Sequence, residues 1–302
     1  MLNTQLEKSF LLFILIASTS GCNLLSYPAS PTVVPTPSFT LQQISATPII
    51  PTNTPVPIPT ATATTTPTPV WMFQSGTITC PILLYHRIAE PPLPNSIDAR
   101  YYMPPEDFKW QMQALKDWGY STIPMSLLVA AITKGALLPP RPVVISFDDG
   151  YETVVENAFP IMQKFGFTGI LYIVGNYVGA QGYMSVDQLT MLVGSGWEIG
   201  SHSMSHPKLS SHHDLVNFEA GHSKGLLASE IGTIVETFAY PYGDTDSFVD
   251  KKVAEYGYLA AVGLGTQYVH SLTSLYYLSR IELQNGIDQA AFAALLPWSG
   301  QP

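Results

Sequence analysis

Charge is scarce in this chain: only 12% of its 302 residues are charged, and they are almost missing from its first quarter. Glu7 and Lys8 are the only charged residues before Arg87. Basic residues are the scarcer sign, 13 Lys plus Arg against 22 Asp plus Glu, giving a formal net charge of −9. Such an acidic chain lacks the electrostatic footprint of a nucleic-acid binder and would not be drawn to an anionic membrane surface by its charge. Two cysteines, Cys22 and Cys80, cannot build a disulfide framework. Long apolar runs are missing as well. The N-terminal one spans 10–17, far short of the ~20 residues that cross a bilayer as a helix, which argues against a permanent transmembrane anchor.

What stands at the N-terminus instead is a short polar start ending in Lys8, followed by that apolar run. This is the layout of an export signal. Thr19-Ser20-Gly21-Cys22 follows and resembles a bacterial lipobox, with Thr19 where Leu is usual. The expectation is a lipoprotein signal over 1–22. Lipidated Cys22 would become the first residue of an exported, membrane-anchored protein on the extracytoplasmic side. Residues 23–76 then read as a tether. Between 23 and 70 there is no charge, but there are 11 of the 26 prolines and 12 threonines. Such a segment buries too little apolar surface to offset its ordering entropy, and its Thr-Pro steps favour an extended chain. Cys80, left as the sole unmodified thiol, is expected to be buried at the start of a strand.

From 77 to 302 the pattern is that of one folded domain. Strands are predicted over 78–88, 143–147, 169–174, 197–199, 235–240, 259–264 and 277–283. Helices are predicted over 104–118, 153–165, 186–193, 214–231, 248–255 and 288–296. The 214–231 helix is weakened by Gly221 and Gly225. Apolar strands alternating with amphipathic helices imply a parallel sheet covered by helices. About seven strands in this length suit an α/β fold, a distorted or incomplete (β/α) barrel, whose chemistry would sit at the C-terminal strand ends.

Four polar clusters fall at predicted strand ends. Ser146-Phe147-Asp148-Asp149-Gly150 puts two carboxylates side by side, a costly arrangement if buried without a cation. Its alternative is a plain Asp-Asp-Gly surface turn. His202-Ser203-Met204-Ser205-His206-Pro207 offers two imidazoles four residues apart, able to converge on one metal if the segment turns. Two His and a carboxylate suit Zn²⁺ and leave positions open for water and substrate. Phe238-Ala239-Tyr240-Pro241-Tyr242-Gly243 is a rigid loop whose N–H groups could face a site. Tyr85-His86-Arg87 places an imidazole, a potential general acid, at the first strand's mouth. His212, His213, His222 and His270 match no such pattern and read as surface or capping residues.

Ser-Phe-Asp-Asp-Gly, His-Ser-x-x-His and Tyr-Pro-Tyr-Gly, in this order and spacing, resemble the motifs of the polysaccharide deacetylases, the NodB-homology group or carbohydrate esterase family 4. The resemblance covers about 78–300. It implies Asp148 as catalytic base and one divalent metal, Zn in first place, on Asp149, His202 and His206. It also implies the Tyr242 N–H as part of the oxyanion hole. Two departures matter. Ala239 stands where the family's third motif carries Arg, and no Leu-x-His follows His270. Both departures, with the early Leu-Tyr-His-Arg, resemble the branch of poly-N-acetylglucosamine deacetylases, which makes His86 the general acid. Arg280 is the candidate to orient Asp148 in place of the missing Arg, against a purely structural ion pair.

The function so implied is metal-dependent removal of N-acetyl groups from an N-acetylhexosamine polysaccharide at the cell surface, with release of acetate. The polymer (peptidoglycan, poly-N-acetylglucosamine or a chitin-like chain) stays open, and Tyr151 and Tyr183 are candidates to stack on its sugars. Partners would be that polysaccharide and, through lipid on Cys22, the membrane; nucleic acid is not expected. The rival readings are an O-acetyl esterase on the same scaffold and a non-catalytic carbohydrate-binding surface module.

Overall fold

The computed structural model describes residues 76–93 and 96–300. The expected signal over 1–22, its Cys22 and the tether up to residue 75 lie outside the described residues. Seven strands frame the fold: β1 (Ile82–Tyr85), β2 (Pro142–Asp149), β3 (Ile170–Ile173), β4 (Glu198–Ser201), β5 (Thr237–Ala239), β6 (Ala260–Val262) and β7 (Ile281–Glu282). Their order is β6-β5-β4-β3-β2-β1-β7, with every neighbouring pair parallel. The sheet forms a half-barrel covered by helices, so the expected distorted (β/α) barrel of about seven strands is what the chain adopts. Between β6 and β7 the segment 275–280 spans the gap. Leu278 bridges to Val262, and the N–H groups of Gly263 and Gly265 donate to the carbonyls of Leu278 and Arg280.

Every residue of β1, β2 and β3 is buried, as strands covered on both faces must be. On one face Leu83, Ile145, Phe147 and Leu171 join residues of the surrounding helices α1 (Pro105–Asp117), α3 (Phe159–Phe165), α4 (Val186–Gly194), α5 (Ser223–Ile231) and α6 (Ser247–Glu255) in one core. On the other face Ile82, Val144, Tyr172 and Val262 join Met125 and Leu128 of α2 (Met125–Lys134). The last helix, α7 (Gln289–Ala294), starts at its Asp288 cap, whose carboxylate accepts the Ala291 N–H at 2.8 Å. Among the described residues no helix is long and apolar enough to cross a membrane.

Several predicted elements need correction. The 78–88 strand is three pieces, Ile78–Thr79, β1 and Arg87–Ile88; Pro81, with no N–H to donate, falls in the first break. The 143–147 strand runs two residues further, so Asp148 and Asp149 are its last rungs, paired with Tyr172 and Ile173. The 277–283 strand shrinks to β7. The 214–231 helix opens with a wide π-turn, Asn217–His222, before α5. His270 is buried, its Nε2 3.0 Å from the Cys80 carbonyl, rather than a surface residue. Cys80 is a buried free thiol, as expected. Helix α2 was not foreseen. Pro124 precedes it and no local side chain caps it; its first N–H groups are taken by Glu198 of β4, whose Oε2 lies 2.6 Å from the Met125 nitrogen.

Glu198 therefore ties α2 to the sheet. Replacing it with Ala leaves the Met125 and Ser126 donors without their acceptor, which typically costs about 1–3 kcal/mol. We expect Glu198→Ala to lower the urea-unfolding free energy by that amount. A change within ~0.5 kcal/mol, the usual surface range, would show that the cap contributes nothing.

Candidate active site and metal centre

The strand ends bring all four clusters to one cleft of about 480 Å³, lined by His86, Asp148, Asp149, His202, His206 and Tyr242 among others. Local backbone geometry explains how. Five non-glycine residues among those described have positive φ, and four of them, Asp149 (71°), Ser203 (69°), His206 (65°) and Tyr242 (62°), lie in these motifs. Each such residue stores about 1–3 kcal/mol and persists only where its surroundings over-determine it. Gly150 (φ 88°) follows Asp149 and completes the sharp exit from β2. A Cβ there would add strain in that left-handed conformation and would meet Ile173 at 3.0 Å.

Asp148 is buried and held by a bidentate fork from buried Arg280, with Nη1 2.6 Å from Oδ1 and Nη2 2.7 Å from Oδ2. Burial acts to raise the carboxyl's pKa. The guanidinium, helped by His202, outweighs burial and holds it at about 2, so Asp148 is an anion at any working pH. Arg280 Nε also donates to the Gly263 carbonyl at 3.1 Å. His86 lines the same cleft; burial lowers its pKa against the opposing pull of Asp148 and Asp149. Of its neighbours, Arg87 lies over the Tyr151 ring at 3.9 Å, whereas Tyr85 points into the core and donates to Gln111.

Asp149, His202 and His206 each offer one ligand atom, all within 4.8 Å of one another. Asp149 Oδ1 lies 3.6 Å from His202 Nε2 and 3.5 Å from His206 Nε2, and the two imidazole nitrogens are 3.1 Å apart. That oxygen is buried and has no hydrogen-bond partner. A buried unsatisfied carboxylate oxygen facing two imidazoles fits a cation between them. The His202 Nδ1–H donates to the Ala239 carbonyl at 2.8 Å, which turns Nε2 toward the site. Burial, reinforced by His202, pushes the His206 pKa down to about 4, so the ring is neutral, as a ligand must be. Two nitrogens and a carboxylate oxygen are a suitable donor set for Zn²⁺.

The turn after β5 carries Tyr242, whose exposed ring rests edge-on against His206 at 4.5 Å. The neighbouring amides of Gly243 and Asp244 close the turn onto the carbonyls of Tyr240 and Pro241. Tyr151, Tyr183 and Tyr177 form a half-buried aromatic group at the cleft, with centroids 4.9 and 4.7 Å apart. Sequence reasoning missed Tyr101 and Tyr102 there, and it missed the buried Glu219 behind the His202–His206 loop. No local pattern marks any of the three. Of the other histidines, His213 is exposed and pairs with the α6 cap Asp246 at 2.7 Å.

A strand-end cleft with a candidate cation centre beside an ionised carboxylate suits hydrolysis as a broad class of reaction. The comparisons narrow it. The polysaccharide deacetylase family model matches residues 137–261. YxkH of Bacillus subtilis (strain 168), which carries a polysaccharide deacetylase name, is 25% identical over 75% of this chain and 79% of its own. A poly-beta-1,6-N-acetyl-D-glucosamine N-deacetylase of Staphylococcus aureus (strain MSSA476) is 25% identical over 66% of this chain and 73% of its own. The crystal structure of BA0330 from Bacillus anthracis, also assigned as a polysaccharide deacetylase, superposes with a TM-score of 0.66 at 26% identity, covering 73% of this chain and 69% of that one. The chain is thus similar to polysaccharide deacetylases in a family model, in curated relatives and in a solved structure.

The Asp148–Arg280 pair is buried on both sides, so removing one partner strands the other charge, a loss of about 3–5 kcal/mol. We expect Arg280→Met to lose stability on that scale in denaturant unfolding. The double variant with Asp148→Asn should lose clearly less than the sum of the two singles. Strict additivity would mean that the fork carries no coupling.

Proposed function

We propose that this protein is a metal-dependent N-deacetylase, removing acetyl groups from an N-acetylhexosamine polysaccharide at the extracytoplasmic surface. The observation that carries the reading is the buried, unpartnered Asp149 oxygen facing His202 and His206, beside the Arg280-held Asp148. The S. aureus relative, named for poly-N-acetylglucosamine, and the His86 position in the cleft support the substrate class. A divalent ion on Asp149, His202 and His206 would supply Lewis acidity, bringing the pKa of water toward neutral and polarising an acetyl carbonyl. Asp148, kept ionised by Arg280, takes the proton of the attacking water. The Tyr242 N–H donates to the oxyanion as the carbonyl becomes tetrahedral. His86 delivers a proton to the departing amine, which leaves poorly without one. The products are acetate and a free amino sugar. Lipid on Cys22 would anchor the chain, and the 23–76 tether would carry the domain away from the bilayer.

Metal content and acetate release on poly-N-acetylglucosamine, chitin-like oligomers, peptidoglycan and an O-acetylated glycan test the reading together. We expect His202→Ala to lose metal and activity. We expect His86→Ala to keep its metal while kcat on an N-acetyl sugar falls by about 10²–10⁴. The loss should be smaller on an activated ester, whose leaving group needs little protonation. A His86→Ala variant that sheds metal, or that slows ester and amide alike, removes His86 from this role. A metal-loaded wild type that releases acetate only from the O-acetylated glycan makes the protein an esterase.

The anchor has its own test. Labelled palmitate should enter the wild-type protein in a bacterial host and not Cys22→Ser, which should fractionate as soluble. No label in the wild type, with unchanged fractionation of the variant, would refute lipidation.

A further inference from the structure

The loop from His202 to His206 is held by an element that supplies none of the candidate ligands. Its two non-glycine left-handed residues, Ser203 and His206, would relax toward ordinary backbone unless something fixed the residues between them. Ser203 does part of this locally: its Oγ accepts the His206 N–H at 2.9 Å. Met204 and Ser205, the middle of the loop, are held by Glu219. One carboxylate oxygen, Oε2, accepts the Met204 N–H at 2.9 Å and the Ser205 N–H at 2.8 Å, while Oε1 accepts from the Ser205 hydroxyl at 2.6 Å. Glu219 is buried, 1% exposed. It sits within the π-turn Asn217–His222, whose extra residue per turn displaces it from a regular helical register. The same stretch reaches the base of the loop, where Ser223 Oγ lies 2.7 Å from Ser201 Oγ.

We infer that Glu219 is a positioning residue: it pre-sets the His202–His206 loop so that both imidazoles face Asp149 before a metal arrives, and thereby sets metal affinity. Charge-assisted bonds of this length are the strong kind. A free loop would have to order itself on binding, and that cost would appear as weaker affinity. The inference rests on the metal-centre reading above, but it concerns a residue that touches neither ion nor substrate.

The test uses the full chain, stripped of metal and titrated with zinc against a competing chelator. Glu219→Met keeps the volume and removes all three acceptor contacts. We expect zinc affinity to fall about 10–100-fold, the usual scale for residues supporting metal ligands, with kcat at saturating zinc within about threefold of wild type. Amide exchange of Met204 and Ser205 in the metal-free protein should speed up. Glu219→Gln retains one acceptor oxygen and should fall between Met and wild type. It decides the matter if Glu219→Met does not fold. Wild-type zinc affinity in the folded Met variant, or in Gln where Met is unfolded, overturns the inference. A wild-type chain that binds no zinc overturns the metal reading itself.

Discussion

The buried pair of Asp148 and Arg280 is the contact on which the site depends. Each charge taken from water costs several kcal/mol, and only a well-formed fork with every remaining donor used offsets that. Here both carboxylate oxygens are engaged, and the third guanidinium nitrogen donates to Gly263. The guanidinium also lies 5.2 Å from the centroid of the Tyr172 ring. One ion pair therefore joins the end of β2, a side chain of β3, the exit of β6 and the entry of β7. It spans the place where the sheet fails to close by regular pairing, so the geometry of the half-barrel and that of the carboxylate are set together.

The pair also fixes the electrostatics. Two adjacent carboxylates and one guanidinium sum to one negative charge. His206 is held neutral by burial, and the Asp149 oxygen beside it has no hydrogen-bond donor. A buried carboxylate oxygen with no donor of its own is a place for a cation. The two imidazole nitrogens turned toward it favour the cation. Arg280 thus does more than orient Asp148: by engaging Asp148 alone, it leaves Asp149 as the carboxylate available to an ion.

Much of this was legible in the chain because the signals were local. The strand–helix alternation, the turn residues at Gly150 and Pro241 and the four-residue histidine spacing are read within a few positions of one another. What escaped was non-local. The N-cap position of helix α2 is Pro124, without the Ser, Thr, Asp or Asn side chain that announces an N-terminus; its cap is Glu198, 73 residues away. Glu219 resembles any other acidic residue on a helix until the fold brings it under the His202–His206 loop. Arg280 could be nominated because the third motif lacked its usual Arg. Asp148 was named as its partner across 132 residues; what the assembled sheet adds is the bidentate fork and its burial. His270 was misread for the same reason: burial between the first strand and a late one leaves no periodic trace.

The two walls of the cleft differ in a way that bears on the proposed substrate. One wall is the charged centre. The other is aromatic, with Arg87 over Tyr151, Tyr151 stacked on Tyr183, and Tyr183 against Tyr177. These rings brace one another, so little conformational freedom remains to be lost when a flat apolar face, such as that of a pyranose ring, settles on them. Tyr242, on the charged side, is braced in turn by His206 and lies beneath Lys208, whose ammonium is 5.6 Å from the ring centroid. On the proposed function, a sugar stacked on these rings would sit in the same cleft as Asp148 and the His202–His206 pair.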